Sequence, residues 1–235
     1  MTADLSVVIP CYNEMAKIER DVDAALGYFR AQTYSFELVL VDDGSSDGTA
    51  VLLESLESRH APLVRAICYR PNRGKGRAVR TGMLQATGNR RLFADAGLCV
   101  PFSETEKALR LVESGADVVI GSRKLEASRV VERQAPYRQL GSKVFGWLVR
   151  NAMGLRHSDT QCGFKMFTAA AAERLFGMSR IDGFMFDAET LINARKAGYT
   201  VREFPVEWRA DPDSRYRPFS GSIRNIIELL RIRFQ

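Results

Sequence analysis

The stretch ELVLVDDGSSDGT, Glu37 to Thr49, decides the fold. Leu38 to Val41 is an unbroken apolar run, without the alternation of a strand that shows one face to water. Such a run suits a strand buried on both faces of a parallel sheet. It stops at two aspartates and a Gly-Ser-Ser turn, and Asp47 is placed to cap a following helix that carries Val51, Leu52 and Leu56. Strand, polar turn and helix form the repeating unit of a doubly wound α/β sheet.

The same unit recurs on either side. LSVVIP (Leu5–Pro10), LVRAICY (Leu63–Tyr69), RLFAD (Arg91–Asp95) and DVVIG (Asp117–Gly121) are short apolar, β-branched runs, and helix-period segments separate them. Asn13 is a plausible cap for a first helix with Ile18, Val22, Leu26 and Phe29 on one face. A third helix runs from about Lys75 to Ala86, and Ser103 with Glu106 makes a capping box before a fourth. The second half changes character. Tyr137–Met153 is helical, DTQCGFKMF (Asp159–Phe167) is a loop entering a short strand, and Phe184–Gly198 is another helix. YTVREFPVEW alternates like an edge strand that Pro205 ends or bends, and Ser222–Phe234 is amphipathic, with Ile223, Ile226, Ile227 and Leu230 on one side. The expected division is one α/β domain over residues 1–217 and an amphipathic helix over 218–235, read either as docked on the core or as lying on a membrane surface.

Composition narrows the class. With 46% hydrophobic and 26% charged residues, the 235-residue chain is ordinary for a globular protein. A net charge of +6 suggests an anionic partner: a nucleotide, a phospholipid surface or a nucleic acid. No nucleic-acid motif is present and the basic residues are dispersed, which leaves that partner class without support. The four cysteines are widely spaced with no C-x-x-C, and the two histidines stand apart, so a zinc site has no pattern behind it. The expectation is reduced, mostly buried thiols. The chain opens directly into a strand, which reads as having no signal peptide, and no apolar run reaches the ~20 residues of a membrane span.

Three polar clusters fall at strand ends: PCYNE after the first, DDGSSDGT after the second and DAG after the fourth. In an open α/β sheet these ends converge on one edge and share a cleft. Asp42 and Asp43 can accept hydrogen bonds from a base or ribose, although D-D-G-S is also a common turn composition. NRGKGRAVRTG (Asn72–Gly82) has the glycines of a phosphate loop but lacks the P-loop pattern, and no strand leads into G-x-G-x-x-G.

Taken in order, VVIPCYNE, LVDDGSSDGT, NRGKGRAVRTG, FADAGLCVP, VIGSR, DTQCGFKMF, FDAETL and FPVEW resemble the family 2 inverting glycosyltransferases. More narrowly they resemble the dolichyl- and polyprenyl-phosphate sugar transferases, and DTQCGFK leans toward the glucosyltransferase branch. The resemblance spans Leu5 to about Arg217 and implies a GT-A fold, a nucleotide-sugar donor (UDP-glucose, or GDP-mannose) and a polyprenyl phosphate acceptor. It also implies a peripheral site on the cytoplasmic side of a membrane. Family donor contacts map onto Pro10, Tyr12, Asn13, Glu14, Asp42, Asp43, Lys75, Asp95 and Ala96. Arg209 and Arg215, within or beside the Ser214–Tyr216 stretch, correspond to a loop that closes over the pyrophosphate. Arg123 matches an arginine facing the phosphates, and Arg138 and Ser142 match the pair that holds the acceptor phosphate, with Gln161 beside them. Asp187 and Glu189 match an acidic motif near the acceptor.

A polyprenyl phosphate carries roughly −1.5 to −2 charge at neutral pH, so its oxygen is already an ionised nucleophile. No general base is required, and Asp187 and Glu189 are expected to organise Arg or Lys side chains instead. One departure stands out. The family has Asp-x-Asp at the end of the fourth strand, and here the second position is Gly97. The expectation is weakened or absent metal-supported activity: Asp95 with diphosphate oxygens holds Mg2+ or Mn2+ weakly, or Arg123 and Lys75 supply the compensating charge instead, or metal-dependent catalysis is lost. A purely structural glycine chosen for positive φ is the other reading. The alternative is a nucleotide-sugar-binding protein with weak or no turnover.

Overall fold

The computed structural model describes residues 2–132, 154–211, 225 and 227–232. Its core is a seven-stranded, mostly parallel sheet in the order β3-β2-β1-β4-β7-β5-β8. The strands are β1 (Leu5–Cys11), β2 (Phe36–Asp43), β3 (Val64–Tyr69), β4 (Arg90–Ala94), β5 (Val118–Ser122), β7 (Phe164–Thr168) and β8 (Val201–Pro205). β7 alone runs antiparallel, between β4 and β5. A two-stranded ribbon joins β6 (Arg129–Val130) to β9 (Glu207–Trp208) just past Pro205, where the edge strand was expected to end.

The unalternating strand sequences are explained by helices on both faces. Val7, Ile9, Leu38, Leu40 and Leu92 face one layer, made by α1 (Ile18–Phe29), α2 (Thr49–His60) and α4 (Thr105–Glu113). Val8, Val39, Val41 and Phe93 face the other, made by α3 (Lys75–Gln85), α5 (Ala169–Met178) and α6 (Phe186–Lys196). Ile18, Val22, Leu26 and Phe29 are all buried, as their spacing requires.

Several local expectations are corrected. Asn13 does not cap α1, which starts at Ile18 without a side-chain cap. Asn13 adopts a left-handed backbone (φ 56°) and ties two loops together, its Oδ1 accepting from the Ser46 N–H and its own N–H donating to Ser45 Oγ. Asp47 does serve the start of α2, accepting from the Thr49 N–H at 3.0 Å. In α2, however, Val51 points outward and Leu53 takes the core position beside Leu56. The capping box at Ser103 is not made. Phe102–Glu104 forms a 3₁₀ turn, α4 has no side-chain cap, and Glu106 accepts from the hydroxyls of Tyr34 and Tyr28.

The C-terminal segment docks on the core, and its buried face differs from the expected one. Asn225, Glu228, Leu229 and Ile232 are buried, while Ile227 and Leu230 are exposed. Glu228 explains the rotation: its carboxylate accepts from the N–H of Met185, which precedes α6, and the positive end of a helix favours that charge. Ile223, Ile226 and the helix predicted over Tyr137–Met153 lie outside the described residues.

Candidate active site

The carboxyl ends of β1, β2, β4, β5 and β8 and the start of antiparallel β7 share one edge of the sheet. The chain leaves β1 toward β2 on one side, and α3 carries it back to β4 on the other. That reversal opens a crevice beyond β1 and β4, the place where α/β sheets bind ligands.

Four backbone segments build its walls. After β1, Glu14 donates its N–H to Thr49 Oγ1 and Met15 donates to Asp47, so the Tyr12–Glu14 loop is laced to the loop after β2. Pro10 is buried in β1, and Tyr12 is exposed at the rim. Asp42 is buried; its Oδ2 accepts from the Ser45 N–H, and Oδ1 accepts no hydrogen bond among the described residues. A buried acceptor without a protein partner is open to a donor from a ligand or from water. Asp43, expected as its partner in donor binding, is committed elsewhere. It accepts from Tyr69 Oη, Asn72 Nδ2 and the N–H groups of Arg73 and Gly74, at 2.8–2.9 Å. Four donors fill the lone-pair sites of one carboxylate. Asp43 therefore anchors the glycine-rich loop that leads into α3.

That loop aims Lys75 at the end of β4. Its Nζ lies 2.7 Å from Asp95 Oδ1 and over the rings of Phe93 and Phe184. Burial opposes the Lys75 charge, but Asp95 and Asp187 more than offset it, so its pKa is raised and the ammonium form persists. Asp95 is seated directly on Gly163 of the DTQCGF segment. A Cβ at position 163 would collide with the carboxylate, so only glycine allows this approach. Ala96 is half-buried in the following turn, and Gly97 has φ +96°, a conformation that disfavours any side chain. Gly97 thus avoids backbone strain that a side chain would meet there, which fits the reading of a structural glycine at positive φ. Its N–H bonds the buried Asp21, which holds the turn to α1.

Across the cleft, Arg123 is clamped by Asp159 through Nε to Oδ2 at 2.6 Å and Nη2 to Oδ1 at 2.9 Å, and it stacks on Trp208. Burial opposes the charge on Asp159, but the paired guanidinium outweighs it and holds the carboxyl down to about 2. Gln161 is half-buried in the same loop, its N–H directed at Asp159. Glu203 of β8 pins this loop, accepting from Ser158 N–H and Oγ and from the Asp159 N–H. Asp187 pairs with buried Lys165, as an organising carboxylate would. Glu189 pairs with no cation among the described residues. It is fully buried and accepts from Ser179 Oγ and the N–H groups of Arg180 and Ile181, shaping the turn before α6. Arg209 is exposed, 3.4 Å from Glu207. Arg138, Ser142 and Arg215 lie outside the described residues.

Asp159, Lys165, Asp21 and Lys17 were not singled out by sequence reasoning. Asp159 and Lys165 lie inside the DTQCGFK motif, whose composition was the available signal. Burial raises the thiols of Cys162 and Cys99 to about 12, and partial desolvation with the nearby Asp42 charge raises the more exposed Cys68 to about 11, which disfavours their thiolates.

The model of glycosyl transferase family 2 matches residues 6–176. The chain belongs to glycosyl transferase family 2. Among curated relatives, this transferase is 33% identical to a dolichyl-phosphate beta-glucosyltransferase of Dictyostelium discoideum over 98% of its own length and 74% of the relative's. It is 32% identical to the enzyme of that name from Homo sapiens, over 100% and 76% of the two chains. For Saccharomyces cerevisiae the figures are 34%, 97% and 74%. A crystal structure of glucosyl-3-phosphoglycerate synthase from Mycobacterium tuberculosis, in complex with Mn2+, UDP-glucose and phosphoglyceric acid, superposes with a TM-score of 0.67 at 21% identity. The match covers 99% of this chain and 80% of that one, which establishes the shared GT-A fold.

The donor set suits a hard divalent cation. Mg2+ and Mn2+ accept one or two carboxylates and complete their shell with water and substrate phosphates. Asp95 stands at the strand end in the cleft, and among the described residues no cluster of three or more His, Cys, Asp or Glu forms an all-protein cage.

Proposed function

We propose that this transferase moves glucose, with inversion, from UDP-glucose to a dolichyl or other polyprenyl phosphate, releasing UDP. The observation that carries the reading is 32–34% identity, over nearly the whole chain, to relatives named for that reaction. A β product from an α-linked nucleotide sugar requires one inversion, hence one in-line displacement. The acceptor phosphate attacks already ionised, and the protein's task is alignment and stabilisation of the leaving diphosphate.

Asp42 Oδ1 offers the base or ribose an acceptor that binding would satisfy. Lys75, kept protonated beside Asp95, supplies positive charge at the diphosphate, and Asp95 is the first ligand of Mg2+ or Mn2+. When bound, that ion neutralises charge developing on the leaving group. Arg123 presents a guanidinium whose plane Asp159 and Trp208 fix, which suits capture of phosphate oxygens. Arg138, Ser142 and Gln161 hold the acceptor phosphate, and Arg209 with Arg215 covers the pyrophosphate. The exposed Ile227 and Leu230 beside Arg231 are suited to a membrane surface carrying the lipid, on its cytoplasmic side. Among the described residues no helix is long and apolar enough to cross a membrane.

The test is a thermal-shift panel of UDP-glucose, GDP-mannose and other nucleotide sugars with and without Mn2+, followed by transfer to a short polyprenyl phosphate. UDP-glucose with Mn2+ raises the melting temperature most, and glucosyl lipid forms. No shift with any nucleotide sugar sinks the reading.

A further inference from the structure

Gly97 removes the second carboxylate from the motif, yet a carboxylate stands at that place in space. A Cβ on Gly97 would lie 3.0 Å from both Cγ and Oδ2 of Asp211 and 3.4 Å from its Cβ. We propose that Asp211 supplies the second protein ligand of the donor-side metal, in place of the side chain that position 97 lacks. The inference rests on the donor reading above.

Four contacts fix the geometry. The N–H of Arg209 donates to Cys99 O at 2.8 Å, tying the segment that carries Asp211 to the turn after Asp95. The turn itself is held from both sides, by Asp95 N–H to Gly163 O at 2.9 Å and by the Gly97 N–H to Asp21. Lys17 of the loop before α1 holds the Asp211 carboxylate, and its Nζ also lies 2.8 Å from Glu14. A carboxylate has about four lone-pair sites, so one ion pair does not by itself bar a cation from it. With a metal held at Asp211, Lys17 would still have Glu14 as a counter-ion.

The two solutions exclude each other. Aspartate at 97 would have to adopt φ near +96° and would set its side chain against the Asp211 carboxylate, with like charges in contact. One carboxylate fills the place, and the chain draws it from the segment after β9 instead of from the strand end.

That exclusivity makes the test a swap. Mn2+ binding to the full chain is measured by electron paramagnetic resonance with UDP present, and UDP affinity is measured by calorimetry with and without Mn2+. Asp211→Asn weakens Mn2+ binding about tenfold or more, while metal-free UDP affinity stays within twofold. Gly97→Asp alone also weakens it, because the two carboxylates collide. Gly97→Asp combined with Asp211→Gly recovers part of the lost Mn2+ affinity. The melting temperature of each variant without ligand separates loss of the site from loss of the fold. Mn2+ affinity in Asp211→Asn equal to that of the unaltered protein overturns the proposal, as does a double variant no better than either single. Both outcomes leave donor binding intact, so they are distinct from failure of the transferase reading, in which no nucleotide sugar binds at all.

Discussion

Replacing Asp159 by asparagine removes one charge from a clamp without changing its shape. Asp159 is 1% exposed and grips Arg123 through both oxygens. Its carboxyl falls from an ordinary 3.8 to about 2. Each tenfold change in proton affinity is worth about 1.4 kcal/mol, so the ionised clamp contributes on the order of 2 kcal/mol at neutral pH. Leaving the Arg123 guanidinium without its counter-charge adds to this, though its side chain is 23% exposed and water offsets part of the loss. The expected destabilisation at pH 7 is about 2–3 kcal/mol. The sign with pH follows from a folded value lying below the unfolded one. The contribution is complete above the unfolded value, near 4, and is lost as pH falls toward 2. Urea unfolding followed by circular dichroism at pH 7, 4.5, 3 and 2.5 measures it for both proteins. The gap between them should hold from pH 7 to 4.5 and narrow by more than half at pH 2.5. A gap under ~0.5 kcal/mol at pH 7, or one constant down to pH 2.5, would refute the assignment of the clamp to this ion pair.

Other outcomes follow from the same geometry. Gly163→Ala drives a Cβ into the Asp95 carboxylate, costing about 1–3 kcal/mol and impairing Mn2+-dependent UDP binding. The control Gly177→Ala, on α5 with open space around it, stabilises by about 0.4–1 kcal/mol in the same melts. Asp42→Asn weakens UDP binding by about 10–100-fold, the loss of a charged acceptor, with little change in ligand-free melting. Asp43→Asn does the reverse, because it breaks the anchor of the loop before α3, and equal effects of the two on donor affinity would contradict the division of labour between them. Lys165→Met strands the Asp187 carboxylate in the core at a cost of about 3–5 kcal/mol, and adding Asp187→Leu recovers most of it.

Order along the chain determined the sheet. Unalternating runs such as Leu38–Val41 demand cover on both faces, and the polar turn after each strand places Asp42, Lys75 and Asp95 at one edge whatever the details of packing. The eight ordered motifs carried the family for the same reason, since a catalytic edge is assembled from strand ends that recur at regular intervals. Side-chain direction was not legible there. Asp42 and Asp43 are adjacent and chemically identical, yet successive strand residues face opposite sides, so one keeps a buried oxygen without a partner among the described residues and the other is consumed by four donors. Glu189, two residues from Asp187, turns to the backbone of a different loop, and Glu228 rotates the C-terminal segment away from its apparent apolar face. Gly97 shows the limit most clearly. In the sequence it is a missing carboxylate. The fold alone brings Asp211, from a distant segment, to 3.0 Å from where that side chain would start, because proximity at the sheet's carboxyl edge is set by packing and not by separation along the chain.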